Sequence, residues 1–284
     1  MTPMESERAR RMLDMAARAA WRAGGRVEPN PLVGCVIAKD DTILGIGHHK
    51  QYGGLHAERE ALANARLRGN DVKGATAYVT LEPCCHHGKQ PPCTEALIEA
   101  GIARVLFARH DPHAVSAGGC KVLQDAGIEA ELCELSRAAI HVSDPFCKRV
   151  QTGMPWVVAK WAQTVDGRVA TRTGQSQWIS SSRSRSRVHR LRERMDVIIT
   201  GLGTATIDDP LLTARVGRTP RREPRRVIID TDLDLPIDSK LVQTARDVPV
   251  TACCANELKS GAFLKPRRDA VSYTHLRAHE TKPN

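Results

Sequence analysis

Residues 80–93 read TLEPCCHHGKQPPC, with three cysteines, two histidines and three prolines in one short run. Soft ligands at that density mark a metal loop, but Cys84, Cys85, His86, His87 and Cys93 are more donors than one tetrahedral ion takes. The loop leaves a strand-like run, ATAYVTL (75–81), and enters a helical one near Thr94–Ala100. Upstream, HAERE (56–60) opens another helical pattern, which continues to Arg68.

Outward from this pair the first half alternates helix and strand periods at short spacing. An amphipathic N-terminal helix closes at Gly24–Gly25. Two strand-like runs follow, LVGCVIAK (32–39) and TILGIGHH (42–49), joined by Asp40–Asp41; beyond the loop come ARVLFA (103–108) and a helix–strand pair ending in GIEAELC (127–133). This order predicts a sheet with helices on both faces. A helical run from Ser136 leads to FCKRVQTGMP (146–155), where the pattern restarts. A strand WVVAKWAQ (156–163), a polar stretch, a basic helix from Ser181, DVIIT (196–200), a Gly/Thr turn and RRVIIDT (225–231) make a second domain. The boundaries read 1–150 and 151–271. SYTHLRAHETKPN (272–284) shows no periodicity and reads as a non-native tail, which leaves the second domain with few strands for a closed α/β sheet.

Composition narrows the class. The chain has 284 residues, 41% hydrophobic and 26% charged, and only four Trp, three Tyr and three Phe, too few for a base-stacking platform. No apolar run is long enough to span a bilayer. Nine cysteines without a secretory signal point to reduced thiols and a cytoplasmic chain. The net charge of +10 gathers in Arg183–Arg194 and Arg218–Arg226, which suits nucleic acid or small phosphorylated molecules held in one cleft.

His56-x-Glu58, then Pro83–Cys84 and a later cysteine, is the pattern of zinc deaminases. One imidazole and two thiolates hold the ion and leave a position for water, whose proton a nearby carboxylate takes. Glu58, in the first turn of the helix that His56 opens, suits that role. Cys84 is expected to open a helical turn of its own after Pro83. The third ligand is a choice: the commoner spacing places His87 there, whereas Cys93 follows an eight-residue gap. Cys85 is adjacent to Cys84, and consecutive side chains rarely converge on one tetrahedral ion. The reading taken is His56, Cys84 and Cys93. The alternative is a closed structural site with His86 or His87 as fourth ligand, which the H-A-E helix start argues against.

PNPLVGCVI (29–37), HAE (56–58), the 80–93 loop and Asp111–Pro112 resemble the bifunctional riboflavin-biosynthesis deaminase-reductase family, in which the H-x-G-x-x-P-P-C insertion is distinctive. AQTVDGRVAT (162–171), SQWIS (176–180), TATIDDPLLTAR (204–215) and RRVIIDT resemble its reductase half, so the resemblance spans nearly the whole chain. It implies an α/β protein with two domains. The first is a three-layer α/β/α domain of cytidine-deaminase type, and the second an incomplete domain of dihydrofolate-reductase type, since the family's reductase continues past residue 271.

The implied chemistry is zinc-dependent deamination of 2,5-diamino-6-ribosylamino-4(3H)-pyrimidinone 5′-phosphate, then NADPH-dependent reduction of the ribosyl group. Asn30, His49, His86 and Lys89 would contact the deaminase substrate, Lys89 at its phosphate. Ala162, Trp178, Thr204, Asp208 and Thr231 would contact NADPH; Ser176, Arg192, Leu212 and Arg215 would contact the reductase substrate. The arginines suit a phosphate because a guanidinium can bind it through two hydrogen bonds. The family's tendency to assemble implies a homo-oligomer, with neither nucleic acid nor membrane as partner. Two competitors remain: a tRNA-adenosine or cytidine deaminase, which the eight-residue gap opposes, and an RNA-binding structural zinc module, which the scarcity of aromatics opposes. Cys35, Cys120, Cys133 and Cys147 read as buried packing residues.

Overall fold

The structure, a computed structural model, describes residues 1–255 and 272–276. The chain divides into Met1–Ala159 and Lys160–Asn284, so the division falls a few residues beyond the expected 150/151. No helix among the described residues is long and apolar enough to cross a membrane.

The first unit opens with α1, Pro3–Ala20, whose start is fixed by a capping box between Thr2 and Glu5. Its five strands are β1 (Gly34–Lys39), β2 (Thr42–His48), β3 (Thr76–Val79), β4 (Arg104–Phe107) and β5 (Glu129–Leu132), in spatial order β2-β1-β3-β4-β5. β1 runs antiparallel to both neighbours, and β3, β4 and β5 are mutually parallel. Between the strands lie α2 (Ala57–Leu67), α3 (Cys93–Glu99) and α4 (Gly119–Asp125), and after them α5 (Arg137–His141) and α6 (Asp144–Thr152).

Strand alternation sends successive residues to opposite faces. Cys35, Ile37, Val79, Val105 and Phe107 pack against Ala57 and Ala61 of α2, Leu97 of α3 and Leu123 of α4. Val36, Ala38, Tyr78 and Leu106 pack against Leu13, Ala16 and Ala17 of α1 and Ala139 of α5. The result is the three-layer helix–sheet–helix arrangement expected from the sequence. α2 lies unusually close to the sheet because β2 carries glycine where it passes beneath. A Cβ on Gly47 would stand 2.2 Å from the Ala57 carbonyl oxygen, and one on Gly45 2.3 Å from that of Ala61.

Since β1 opposes β2 and β3, one edge of the sheet collects the chain entering β1, the ends of β2, β3 and β4, and the start of α2. Every deaminase residue singled out in the sequence is on these segments, on the loop that follows β3 or, for Cys93, at the start of α3.

The second unit holds α7 (Ser182–Arg192), β6 (Val197–Gly201), α8 (Leu202–Asp208), β7 (Arg225–Ile229), α9 (Lys240–Gln243), β8 (Val250–Ala255) and β9 (Ser272–Leu276). Its sheet, β6-β7-β8-β9, is parallel throughout. One face is packed by Ala205, Leu212, Ile228, Leu235, Leu241 and Val250. Two expectations need correction here. Residues 156–163 are irregular and exposed, with Trp156 at 47%, Val157 at 75% and Trp161 at 65%. Their apolar pattern suits a strand, but they pair with none of the described strands. Conversely, Ser272–Leu276 pairs with β8 where no periodic element was expected. Residues 277–284 of the expected tail lie outside the described residues.

Arg226 on β7 is fully buried. Its guanidinium donates to the carbonyls of Leu211 (3.0 Å), Leu241 (3.4 Å) and Thr244 (3.1 Å), to Thr244 Oγ1 (2.8 Å) and to the Val248 carbonyl. Each buried acceptor left unpaired costs about 1–3 kcal/mol. Arg226→Met therefore lowers the stability of this unit by on the order of 3 kcal/mol or more. Hydrogen exchange at the β7 and β8 amides, measured against denaturant, checks this, and Arg226→Lys recovers only part of the loss.

Candidate active site

His56 is the N-cap of α2, held in extended backbone, so its ring faces back towards the loop after β3. Its Nδ1 lies 3.4 Å from Cys84 Sγ and 3.3 Å from Cys93 Sγ. The three ligand atoms all lie within 4.8 Å of one another, the one such group of His, Cys, Asp and Glu among the described residues. Zinc bonds to nitrogen of about 2.0 Å and to sulfur of about 2.3 Å, set at tetrahedral angles, bridge separations of roughly 3.5 Å. The donor set and its spacing therefore fit Zn²⁺.

Cys84 does not open a helix, as the sequence suggested; it sits in irregular chain after β3, and the helix begins at Cys93 instead. The favourable electrostatics survive by another route, because the Cys93 backbone N–H donates to Cys84 Sγ at 3.4 Å. Hydrogen bonds from the Cys93 thiol and from His56 hold the Cys84 thiol down to about 4. The same thiol–thiolate bond, together with burial, pushes Cys93 well above the ordinary thiol range. A cation held by both sulfurs would take the place of that proton.

Glu58 is 3% exposed. Burial first, and the Cys84 charge second, push its carboxyl up to about 7. A carboxyl so placed exchanges a proton near neutral pH, which a general acid–base residue requires.

Beside these groups lies a cavity of about 560 Å³, lined by His56, Glu58, Cys84, Asn30, His49, His86 and Lys89, and also by Asp111, His113 and Arg149. His49 is buried; its Nδ1 donates to the Leu55 carbonyl at 2.9 Å, so Nε2 accepts from Asn30 Nδ2 at 3.3 Å. Burial holds the His49 imidazole below its usual range. His86 Nδ1 is buried without a protein partner. The Lys89 ammonium rests 4.0 Å from the centroid of the Tyr52 ring. His87 faces away, 3.1 Å from Glu95 on α3, and the Cys85 thiol donates to the Ala117 carbonyl at 3.2 Å.

Sequence reasoning missed Glu82, Asp111 as a cavity residue, and Arg149. Buried Glu82 accepts from His110 Nδ1 (2.9 Å) and from the backbone nitrogens of Asp111 (3.4 Å) and Cys120 (2.9 Å), tying the Cys84 loop to the end of β4 and to α4. Its place in the E-P-C run was the available signal.

In the second unit, Thr204 near the start of α8 and Thr231 just after β7 stand at the carboxyl ends of adjacent parallel strands, where open α/β sheets bind ligands. Ser176 Oγ donates to Asp208 Oδ1 at 3.2 Å. Ala162 lies in the irregular segment, and Trp178 is exposed beneath the Arg185 guanidinium, 4.3 Å from its ring centroid. Arg192 donates to the Thr213 carbonyl at 3.2 Å, and Arg215 Nη2 lies 3.4 Å from His189 Nε2. Burial and then the neighbouring Arg215 charge lower the proton affinity of Arg192, an environment that an anion would relieve. The Leu212 side chain packs into the core, and its backbone has a positive φ of 52°.

Comparison with known proteins finds one family match in each half of the chain. Residues 6–109 match the cytidine and deoxycytidylate deaminase zinc-binding region, and residues 155–264 match the RibD C-terminal domain. The riboflavin biosynthesis protein RibD of Actinobacillus pleuropneumoniae is 38% identical over 271 residues, 93% of this chain and 71% of the relative. That of Aquifex aeolicus is 39% identical, over 90% of this chain and 70% of the relative. Among solved structures, the diaminohydroxyphosphoribosylaminopyrimidine deaminase/5-amino-6-(5-phosphoribosylamino)uracil reductase of Thermotoga maritima superposes with a TM-score of 0.80 at 35% identity, covering 95% of this chain and 74% of that one. Acinetobacter baumannii RibD gives 0.76 at 34%, covering 97% and 76%.

Proposed function

The chain belongs to the RibD family of bifunctional riboflavin-biosynthesis deaminase-reductases, and from that premise we propose which of its residues carry each step. The family's first domain is a zinc-dependent deaminase and its second an NADPH-dependent reductase, both acting on phosphorylated pyrimidines. The observation that carries the assignment is the convergence of His56, Cys84 and Cys93 beside a buried Glu58, with His56, Cys84 and Glu58 lining one cavity.

His56, Cys84 and Cys93 hold the zinc, and when bound it supplies Lewis acidity that makes water reactive near neutral pH. Glu58 takes the proton that this water gives up and delivers it to the departing nitrogen. The amino group leaves as ammonia and a carbonyl replaces it. Asn30 and His49, locked to each other, present fixed polar groups to the pyrimidine, and His86 offers an imidazole nitrogen that the protein leaves unpaired. Lys89 and Arg149 are cations from separate elements available to the phosphate. In the second domain Thr204, Asp208, Thr231, Ala162 and Trp178 form the NADPH side, and Ser176, Arg192, Arg215 and the Leu212 backbone the substrate side. We assign residues 1–150 to the deaminase and 151–271 to the reductase. Nine free cysteines support a reducing cytoplasm as the location.

The test is ammonia release from the diaminopyrimidine phosphate by the zinc-loaded protein. Turnover supports the assignment; release from a free nucleoside or from tRNA instead overturns the substrate. Lys89→Ala raises KM about 10-fold or more with kcat little changed, since a hydrogen bond to a charged group contributes about 1.5–3 kcal/mol. Steady-state kinetics check this, and the effect vanishes for a substrate analogue without the phosphate.

A further inference from the structure

We propose that Arg59 is a positioning residue for the zinc site, a clasp from the helix that carries His56 and Glu58 onto the chain that delivers Cys93. Its Nε donates to the Pro91 carbonyl at 3.2 Å and its Nη2 to the Pro92 carbonyl at 2.9 Å. The role rests on the reading of His56, Cys84 and Cys93 as zinc ligands.

The two sulfurs are joined by residues 85–92, a loop with no strand or helix of its own. Ordering such a loop costs conformational entropy that the metal alone would have to offset. Pro91 and Pro92 have no N–H to donate, so their only backbone hydrogen-bonding groups are the carbonyls, and both are taken by Arg59. Pro92 is also the N-cap of α3, and Cys93 is that helix's first residue. Holding the two carbonyls therefore fixes where α3 begins and where the Cys93 sulfur stands relative to His56, three residues before Arg59 on the other element. A guanidinium does this with a rigid planar fork, whereas lysine offers a single nitrogen on a flexible stem. The loop has a second fastening, Gln90 Nε2 to the Gly53 carbonyl at 3.2 Å, which does not involve α2.

The experiment follows zinc release from the full zinc-loaded chain into an excess of a chromogenic chelator, for the wild type, Arg59→Ala, Arg59→Lys and Gln90→Ala, with melting temperatures of the zinc-loaded and zinc-free forms. Loss of groups that orient metal ligands typically weakens metal binding about 10–100-fold. Arg59→Ala is expected to release zinc about 10-fold faster or more, Arg59→Lys by an intermediate factor and Gln90→Ala by less. The zinc-loaded melting temperature falls further than the zinc-free one. If Arg59→Ala does not fold, Arg59→Lys carries the test. Equal acceleration in Gln90→Ala, or a wild-type release rate in the Arg59 variants, overturns the role of Arg59. A wild type that holds no zinc overturns the ligand assignment with it.

Discussion

Glu58→Gln abolishes ammonia release, lowering kcat by about 10³-fold or more, while the protein folds and retains its zinc. The amide keeps the shape of the side chain but cannot take or return a proton. Buried beside Cys84, the wild-type carboxyl has its proton affinity raised to about 7 in the metal-free protein. The same burial makes a stability prediction for the metal-free protein. Glu58 holds its proton more tightly folded, at about 7, than unfolded, at 4.5. Its contribution is therefore complete below the unfolded value, declines as pH rises between the two, and is lost above the folded one. The difference amounts to about 3 kcal/mol. Cys84, held down to about 4, runs in the opposite direction, so the reading is the difference between wild type and Glu58→Gln. Denaturant unfolding of the two zinc-free proteins at pH 5 and pH 8 is expected to show the variant gaining on the wild type as pH rises. Unchanged turnover in the variant would remove Glu58 from the chemistry.

Cys93→Ala loses zinc and His87→Ala does not. His87 occupies the position where the commoner spacing has a cysteine, yet its ring is 73% exposed and paired with Glu95. Cys93 is fully buried, 3.3 Å from the His56 nitrogen. Removing one of three protein ligands is expected to weaken zinc binding by more than the roughly 100-fold upper range for groups that merely orient a ligand. Zinc content after dialysis against a chelator measures it. Retention in Cys93→Ala with loss in His87→Ala would reverse the ligand assignment.

The elements around the site were legible because their periods are strong. The alternation of Cys35, Val36, Ile37 and Ala38 is the alternation of the two faces of β1, and His56 caps the helix that the HAERE run announces. Cys84 was misread as a helix start because Pro83 suggests one. The hydrogen bond that favours its thiolate comes from a residue nine positions later, and no local pattern carries that information. Residues 156–163 show the converse: a local strand pattern that pairs with none of the described strands, because pairing is decided by tertiary contacts and not by alternation alone.

Residue types and spacing were enough to establish the chemistry of this protein: an imidazole, thiols and one carboxylate on a helix start, in an order that names the family. What only the tertiary structure decided is where Glu82, Asp111 and Arg149 stand, and that Arg59 reaches the Pro91 and Pro92 carbonyls. Ligand identity is a property of side chains and can be read one residue at a time. Position within the site depends on β1 running antiparallel to β2 and β3, which gathers distant segments at one sheet edge, and that pairing exists only once the chain has folded.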